Sequence, residues 1–473
     1  MKNKPSTAFI LGIVACFCQP AFSGNGETKN NSDKTQHVFK LPEGITTSDF
    51  QANTIILKLK PAYRNQAQKN GINVQQLMNV FNELGVQEVT KLFPMHAPPA
   101  RVTDEMGNPY IDLSLLYEVI YSNGISIEKA INKIISTGMV AYAEPRYVYA
   151  THGIANSVRE IDEALAAFNP NDPSIGQQYF IGRIKCPDAW GINATTARGD
   201  TNVVIGIVDT GTDIDHPDLK SKIKYNYKDP VNNVDDDNDG YIDNFRGWDV
   251  SDKDNNPNVD NANNVHGSHV SGCAAAATNN GAGVASPGFN CKFLPVKSSK
   301  ASTTGVIDNG YEGIIYAADH GCQIINNSWG GPAGGQFGQD AITYATINKQ
   351  CLVVASAGND SKEQTNYPAA YNYVLSVAAT TSTDAKSSFS TFAYSVDVCS
   401  PGSGIYSTVY NNTYTSMDGT SMAGPICAGA AGIVKSFFPS YTGLQVGEQL
   451  KVTADNIYAV GSNSSYKDKL GTG

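Results

Sequence analysis

The chain has 473 residues, of which 41% are hydrophobic and only 16% are charged, and its formal net charge is −10. This composition is typical of a folded globular protein, and the length suggests two or three domains. The acidic balance argues against nucleic acid and against anionic membranes as partners.

The N-terminus resembles an export signal. Two lysines precede an apolar run over residues 8–18, and small residues around Ser23 suit a signal peptidase, so we expect cleavage after Ser23. The run is too short to span a membrane, and we expect no transmembrane segment elsewhere. Residues 13–16 also resemble a bacterial lipoprotein box, which would make Cys16 a lipid anchor. Secretion and lipid anchoring therefore both stay open.

Apolar patterning predicts a small α+β domain after a polar leader at residues 24–36. Helical spacing of apolar residues marks two helices, and short β-rich runs mark three strands. The predicted strands cover 54–59, 117–121 and 139–143, and the predicted helices cover 75–84 and 127–135. We expect the helices to pack on an antiparallel sheet.

A different pattern begins at about residue 184, after a linker over roughly 151–172. Strongly apolar, β-branched runs alternate with helical stretches, as in a parallel sheet buried on both faces by helices. The predicted strands cover 203–208, 293–296, 323–327, 352–356 and 374–378, and the predicted helices cover 306–320 and 339–348.

Seven cysteines lie beyond the expected signal peptide. An odd count in an exported protein leaves at least one thiol unpaired. No CxxC spacing is found among them, which argues against a cysteine metal site. Several lie among small or apolar residues, which favours buried apolar side chains.

Three polar residues in the α/β part could support acyl transfer, which needs a nucleophile, a proton-accepting histidine and an orienting carboxylate. Ser421 stands between a glycine and a run of small residues, which predicts a tightly packed helix with Pro425 in its first turn. His266 begins a second small-residue cluster, and Asp209 ends an apolar strand, where ligands usually bind in open α/β sheets. Taken singly, these residues could equally be a helix cap and a turn carboxylate.

Together, these segments resemble the active-site motifs of subtilisin-like serine proteases. Residues 208–211 (VDTG), 266–270 (HGSHV) and 419–425 (GTSMAGP) follow the family's order of Asp, His and Ser, which is the order of subtilisin itself. Residues 356–360 (SAGND) resemble the segment that carries the family's oxyanion-hole asparagine. The resemblance implies an α/β fold of three layers, with a mostly parallel central sheet flanked by helices, preceded by a small α+β propeptide domain.

The same resemblance implies a role for each residue. Asp209, His266 and Ser421 would form the catalytic triad, Asn359 would stabilise the oxyanion, and His269 would be structural. The stretch Ser328, Trp329 and Gly330 would pair with the substrate backbone.

The resemblance also places two polar residues near the pocket for the residue that precedes the cleaved bond. Asn366 is expected to narrow this pocket and to favour a polar or mid-sized side chain, and Asp360 could favour a basic one. The alternative is that Asn366 points to solvent and leaves the pocket permissive.

An acidic segment, DDDNDGYID at 235–243, repeats the start of an EF-hand loop, although Arg246 stands where the closing glutamate would be. Similar loops bind calcium in several subtilisin-like proteases, so Ca²⁺ is the expected cofactor. A solvated acidic loop is the alternative, but so many carboxylates repel one another without a cation. The expected ligands are Asp235, Asp237, Asp239, Tyr241 and Asp243.

The chain is therefore expected to be a secreted serine endopeptidase, made as a self-processed zymogen whose propeptide is its intramolecular inhibitor. The expected boundaries are a signal peptide at 1–23, a propeptide at 24–152, a linker and start of the mature enzyme at 153–183, and a catalytic domain at 184–473 that looks truncated at its C-terminus. Its partners would be protein or peptide substrates. One alternative is a catalytically inactive binding protein, and His266 argues against another, an acid-active carboxyl peptidase.

Overall fold

Two sheets of different kinds organise the computed structural model, which describes residues 38–69, 71–122, 124–155, 168–259 and 264–473. The expected signal peptide, Cys16 and the polar leader lie outside the described residues. Within the described part, no helix has the length and apolarity needed to cross a membrane.

The N-terminal unit is built on a four-stranded antiparallel sheet. Its strands, in spatial order, are Val86–Lys91, Leu116–Tyr121, Phe50–Leu59 and Val140–Tyr147. Helices Gln75–Leu84 and Ile127–Ser136 pack against it, each with a buried apolar stripe. The α+β prediction is confirmed, and the strand Val86–Lys91 was not foreseen.

The last strand of this sheet was expected to end at residue 143, which is wrong, because it continues through Pro145 to Tyr147. Proline has no N–H to donate to a ladder and is therefore confined to edge strands or bulges. The strand lies at the edge of the sheet and contains an irregular register, so Pro145 is tolerated.

The C-terminal part is built on a seven-stranded parallel sheet flanked by helices, as expected. Its strands, in spatial order, are Trp248–Asp249, Lys292–Lys297, Val204–Asp209, Ile324–Asn327, Leu352–Ser356, Val374–Thr380 and Val398–Pro401. The long helices around it are His266–Ala275, Gly310–Asp319, Gln336–Thr343, Thr420–Phe437 and Gly443–Thr453, with shorter ones at Tyr179–Arg183 and Cys186–Ile192.

Alternate residues of the central strands face two separate hydrophobic cores, as the two-residue period of a strand requires. Val204 and Val208 belong to one core, and Ile205 and Ile207 belong to the other. The first core also contains Leu57 and other side chains of the N-terminal unit, so the two units pack together on that face.

The helices predicted at 306–320 and 339–348 begin at other residues than expected. The helix expected over 306–320 begins at Gly310, because Val306–Ile307 forms a strand of a small sheet. The helix expected over 339–348 begins at Gln336 and gives way after Thr343 to a π-helical turn, Tyr344–Asn348.

Two small antiparallel sheets join the N-terminal unit to the rest of the chain. Strand Tyr149–Thr151 lies between Val306–Ile307 and Trp329–Gly330. Strand Ile154–Ala155 pairs with Thr413–Asp418, which in turn pairs with Ile405–Val409. The segment 149–155 therefore adds a strand to two different sheets of the C-terminal part.

The seven cysteines of the described residues are all unpaired thiols, and all but Cys399 are buried. Their burial raises the pKa of these thiols, to about 12 for Cys273 and Cys427. They are inert apolar side chains, as the sequence indicated.

Candidate active site

A carboxylate and an imidazole meet at the C-terminal end of the central sheet. Asp209, the last residue of Val204–Asp209, is 1% exposed, and its Oδ1 lies 2.8 Å from His266 Nδ1. The same oxygen accepts the N–H of Thr210 at 2.7 Å. A Cβ on Gly267 would lie 2.2 Å from Gly211 O, so only glycine lets the helix that begins at His266 approach this closely. Asp209 therefore fixes the orientation of the imidazole.

The hydroxyl of the candidate nucleophile is bonded to a backbone carbonyl. Ser421, the second residue of helix Thr420–Phe437, donates from Oγ to the carbonyl of Ser328 at 2.9 Å. Among the described residues, the buried Nε2 of His266 has no hydrogen-bond partner. To donate to that nitrogen, Ser421 Oγ first has to leave the carbonyl of Ser328 by a change of rotamer.

The proline of this helix serves a purpose that the sequence did not indicate. Pro425 was expected in the first turn, but the helix begins at Thr420, so Pro425 lies in the second turn. Lacking an N–H, it leaves the carbonyl of Ser421 without its helical donor. Ser328 Oγ donates to that carbonyl at 2.9 Å instead and ties the helix to the neighbouring strand.

Two hydrogen-bond donors converge on the carbonyl oxygen of His152. Asn359 Nδ2 donates to it at 2.5 Å, and the backbone N–H of Ser421 donates to it at 3.2 Å. Thr420 holds the amide of Asn359 in this orientation, because its N–H and its Oγ1 both donate to Asn359 Oδ1, at 3.0 and 2.9 Å. A Cβ on Gly419 would lie 2.2 Å from His152 O, so the glycine keeps the space for this carbonyl free.

The chain on either side of this carbonyl is extended and paired. Ala150 is in register with Gly330 and Thr151 with Trp329, and the N–H of His152 donates to Ser328 O at 3.3 Å. On the other side, Ile154–Ala155 pairs with Met417 and Asp418. The residues expected to hold a substrate backbone, Ser328, Trp329 and Gly330, thus hold residues 150–152 of this same chain.

His152 and Gly153 were not foreseen as site residues. A Cβ on Gly153 would lie 2.9 Å from His266 Nε2, so the peptide bond between them lies against the candidate base. Their short sequence matches no motif, and only the expected domain boundary at residue 152 marked the position.

A pocket beside the carbonyl receives the His152 side chain. Its Nδ1 lies 3.0 Å from Ser356 Oγ, and burial lowers the pKa of His152 to about 4, so the imidazole is neutral. Asn366 is 3% exposed, and its Nδ2 donates to Ala357 O and to Asp360 Oδ2. Asn366 therefore does not point to solvent, and its amide is paired within the pocket wall.

Asp360 is held in the same wall by neutral donors. Its Oδ2 also accepts from the side chains of Gln364 and Thr391, at 3.2 and 3.3 Å. Asp360 itself is exposed, and these donors hold its carboxylate beside Asn366.

His269 bonds to backbone carbonyls, whereas His266 bonds to the carboxylate of Asp209. Its Nε2 lies 3.0 and 3.1 Å from the carbonyls of Ile405 and Thr415. Burial lowers the pKa of His269 to about 3, which keeps it neutral. These bonds connect its helix to the hairpin Ile405–Val409 and Thr413–Asp418.

The acidic loop gathers three carboxylates, and one of them lies outside the expected segment. Oxygens of Asp229, Asp235 and Asp237 lie within 4.8 Å of one another. Asp229 is fully buried, and Asp237 Oδ1 is buried without a hydrogen-bond partner in the part of the chain that the structure describes. Such an orphaned carboxylate oxygen beside two others fits a hard cation with oxygen ligands. No motif marked Asp229, which lies six residues before the repeat.

The other expected ligands have different partners. Asp239 Oδ2 lies 2.8 Å from His320 Nε2, and although burial opposes it, the hydrogen bond from His320 lowers the pKa of Asp239. Asp243 accepts the backbone N–H groups of Asn232 and Asn233. The Tyr241 ring packs edge-on against Trp248 and Tyr316. These side chains shape the loop around the three converging carboxylates.

Comparisons with known proteins show which family this chain resembles. A family model described as the subtilase family matches residues 200–473. Thermitase from Thermoactinomyces vulgaris is 39% identical over 62% of this chain and 95% of its own length. A thermophilic serine proteinase from Bacillus sp. (strain AK1) is 33% identical over 72% of this chain and 74% of its own length.

A solved structure extends the fold likeness to the N-terminal unit. Fervidolysin from Fervidobacterium pennivorans, a keratinolytic enzyme related to subtilisin, superposes with a TM-score of 0.66 at 20% identity. The superposition covers 90% of this chain and 60% of the fervidolysin chain.

Proposed function

The chain belongs to the subtilase family and is a serine endopeptidase, and from this premise we propose that Asp209, His266 and Ser421 are its catalytic triad in a precursor that cuts its own chain. The observation that carries the proposal is the carbonyl of His152, which accepts hydrogen bonds from both Asn359 and the backbone of Ser421.

The chemistry follows from these positions. Ser421 Oγ attacks the carbonyl carbon while its proton passes to His266 Nε2, and Asp209 stabilises the imidazolium that forms. The tetrahedral intermediate collapses, the C–N bond breaks, and the leaving amine takes the proton from His266. Water then releases the acyl group by the same route in reverse.

The two donors are suited to the charge that develops during this reaction. The attacked carbonyl oxygen becomes negative in the intermediate, and fixed donors stabilise it without reorganising. Asn359 is fixed by Thr420, and the N–H of Ser421 lies at the N-terminus of helix Thr420–Phe437, where the helix dipole favours negative charge.

We propose that the first bond cleaved is His152–Gly153, which makes residues 24–152 the propeptide and Gly153 the start of the mature chain. Antiparallel pairing on both sides of Tyr149–Thr151 holds this segment as a substrate strand would be held. The amine that the reaction releases is that of Gly153, next to His266.

The N-terminal unit has the contacts expected of an intramolecular inhibitor. Glu144 accepts the first N–H groups of helix Gln336–Thr343, from Gln336 at 2.7 Å and from Phe337 at 3.1 Å. Lys58 forms an ion pair with Asp340 of the same helix at 2.6 Å. These bonds keep the unit on the enzyme while its C-terminal strand fills the cleft.

We propose further that Asp229, Asp235 and Asp237 hold a Ca²⁺ ion. The ion would neutralise three carboxylates that repel one another and would tie the loop to the sheet. We also propose that the protein is secreted, or anchored to a membrane by a lipid on Cys16. Export is supported by relatives such as the halolysin-like extracellular serine protease Nep of Natrialba magadii, 34% identical over 61% of this chain and 49% of its own length.

The nucleophile is tested by fluorophosphonate labelling and by peptide hydrolysis. Ser421→Ala should abolish both, whereas Ser436→Ala, a buried serine on the same helix, should retain both. Labelling that persists in Ser421→Ala, or peptide hydrolysis by it, would remove Ser421 from the role of nucleophile.

A further inference from the structure

Two side chains of the segment that fills the cleft hydrogen-bond to the catalytic domain. Tyr149 is 5% exposed, Thr151 and His152 are both partly buried, and Ala150 is exposed. Tyr149 and His152 bond through their side chains to Ala333 and Ser356. Because a side chain that loses such a bond fits less well, we expect the enzyme to distinguish the first and fourth residues before the cleaved bond.

The site for the fourth residue is an aromatic pocket with two polar contacts at its end. The Tyr149 ring lies 5.4 Å from the ring of Tyr311 and 5.3 Å from that of Trp329. Its hydroxyl donates to Ala333 O at 3.2 Å and accepts from the hydroxyl of Tyr311 at 3.0 Å. Phenylalanine would fill the rings' space but lose both hydrogen bonds, which buried groups lose at a cost.

The site for the first residue fits a neutral, nitrogen-containing side chain of the size of an imidazole. Ser356 Oγ is 3.0 Å from His152 Nδ1, and Ser356 is 1% exposed, so an apolar side chain would leave that hydroxyl without its partner. A Cβ on Gly330 would lie 2.8 Å from His152 Cε1, which puts the strand's backbone against the imidazole. Burial keeps the imidazole neutral, as its lowered pKa indicates.

The residue after the bond has little room. A Cβ on Gly153 would lie 2.8 Å from His266 Cδ2 and 3.3 Å from Met417 Cε. The imidazole is held by Asp209 and cannot withdraw without losing that bond. A β-branched residue there would push against the base itself.

We propose that this endopeptidase selects substrates with the pattern Tyr-Xaa-Xaa-His before the cleaved bond and a small residue, best glycine, after it, and that Ser356 is the residue that determines the preference for histidine. The proposal rests on the proposed function, since it assumes that residues 149–153 lie in the cleft as a substrate does.

The test uses the mature enzyme obtained from the full chain and fluorogenic peptides based on Tyr-Ala-Thr-His-Gly. Replacing His by Leu, Tyr by Phe, or Gly by Val in the peptide should each lower kcat/KM by about 10-fold or more, the factor expected when a buried polar group loses its partner or a close contact is overfilled. In the Ser356→Ala enzyme, the ratio of the His rate to the Leu rate should fall by about 10-fold.

Each outcome decides a different point. If the peptide with Leu in place of His, or the peptide with Phe in place of Tyr, is cleaved as fast as the parent peptide, the preference for that residue is overturned while the protease function stays intact. A Ser356→Ala enzyme with an unchanged ratio of the His rate to the Leu rate would remove Ser356 from its proposed role. If none of the peptides is hydrolysed, the proposed function fails together with this inference.

Discussion

The buried Arg146 side chain connects the N-terminal unit, which we propose to be a propeptide, to the C-terminal part of the chain, and its removal tests how strongly the two are held together. Its guanidinium, 6% exposed, bonds to Glu118 of the propeptide at 2.5 Å and to Glu312 of the catalytic domain. Burial alone would lower the pKa of Arg146, but the charges of Glu312 and Glu118 raise it. The guanidinium is therefore charged, and both glutamates depend on it.

Arg146→Ala would leave two half-buried carboxylates without their cation. Removing one partner of a buried ion pair costs about 3–5 kcal/mol. Of the two described ion pairs of Arg146, the one to Glu312 crosses between the two domains. About half of the cost, ~2 kcal/mol, should therefore reduce the free energy of docking, which corresponds to a ~30-fold weaker complex after cleavage.

The assay dilutes the processed complex and follows hydrolysis of a small chromogenic peptide. We expect Arg146→Ala to become active at about 30-fold higher protein concentration than the wild type. Lys133→Ala is the matched control, because it removes an ion pair to Glu83 on the same unit whose side chains are 44% and 59% exposed and which should contribute less than about 1 kcal/mol. Glu312→Gln changes the catalytic side alone and separates docking from folding of the propeptide. Superimposable dilution curves for wild type, Arg146→Ala and Glu312→Gln would show that the bond between Arg146 and Glu312 does not contribute to docking.

Three further predictions use the same full-length chain. Chelation of calcium should lower the melting temperature of the wild type, because an ion bound only by the folded state stabilises it, and should have no effect on Asp229→Asn; an equal response of both proteins would exclude the carboxylate cluster. Burial raises the pKa of Glu144 from 4.5 to about 7. The Glu144 carboxyl therefore holds its proton more tightly in the docked complex than in the free propeptide. The complex should be strongest below about pH 4.5 and should weaken as the pH rises through about 7. When the complex is diluted at pH 5 and at pH 8 and then assayed at one common pH, activity should appear at a higher protein concentration in the pH 8 series. Glu144→Gln should reduce this difference between the two series. Gly419→Ala should lower kcat/KM by about 100-fold, because the added Cβ would displace a substrate carbonyl from the position that His152 O occupies. Unchanged kinetics would mean that substrates bind elsewhere.

The elements that the sequence predicted well have one clear apolar pattern. Helix Gln75–Leu84 has the predicted bounds because its apolar residues follow the helical period and Gly85 marks its end. Strand Leu352–Ser356 has the predicted bounds because it is a short continuous apolar run, as expected of a strand buried on both faces. The errors arose where an apolar run had two uses, as at Val306–Ile307, which is a strand because another segment pairs with it. Pairing between distant segments cannot be read from local spacing.

The candidate site divides in the same way. Asp209, His266, Asn359 and Ser421 stand in motifs, so they could be proposed as site residues without coordinates. The two unforeseen features, the His152 carbonyl beside Asn359 and the Asp229 carboxylate beside Asp235, depend on where the chain returns in space. The EF-hand-like spacing at residues 235–243 also predicts Asp239 as a ligand, and in the structure its Oδ2 lies 2.8 Å from Nε2 of His320, 81 residues further along the chain.

Intact mass and N-terminal sequencing of two precursors, wild type and Ser421→Ala, purified in parallel, test most directly whether Ser421 cuts the chain at His152–Gly153. We expect a wild-type fragment that begins at Gly153 and stays associated with its propeptide, and an uncut Ser421→Ala chain. A wild-type fragment that begins at another residue would exclude His152–Gly153 as the bond cleaved first, and a Gly153 N-terminus in purified Ser421→Ala would exclude cleavage by Ser421.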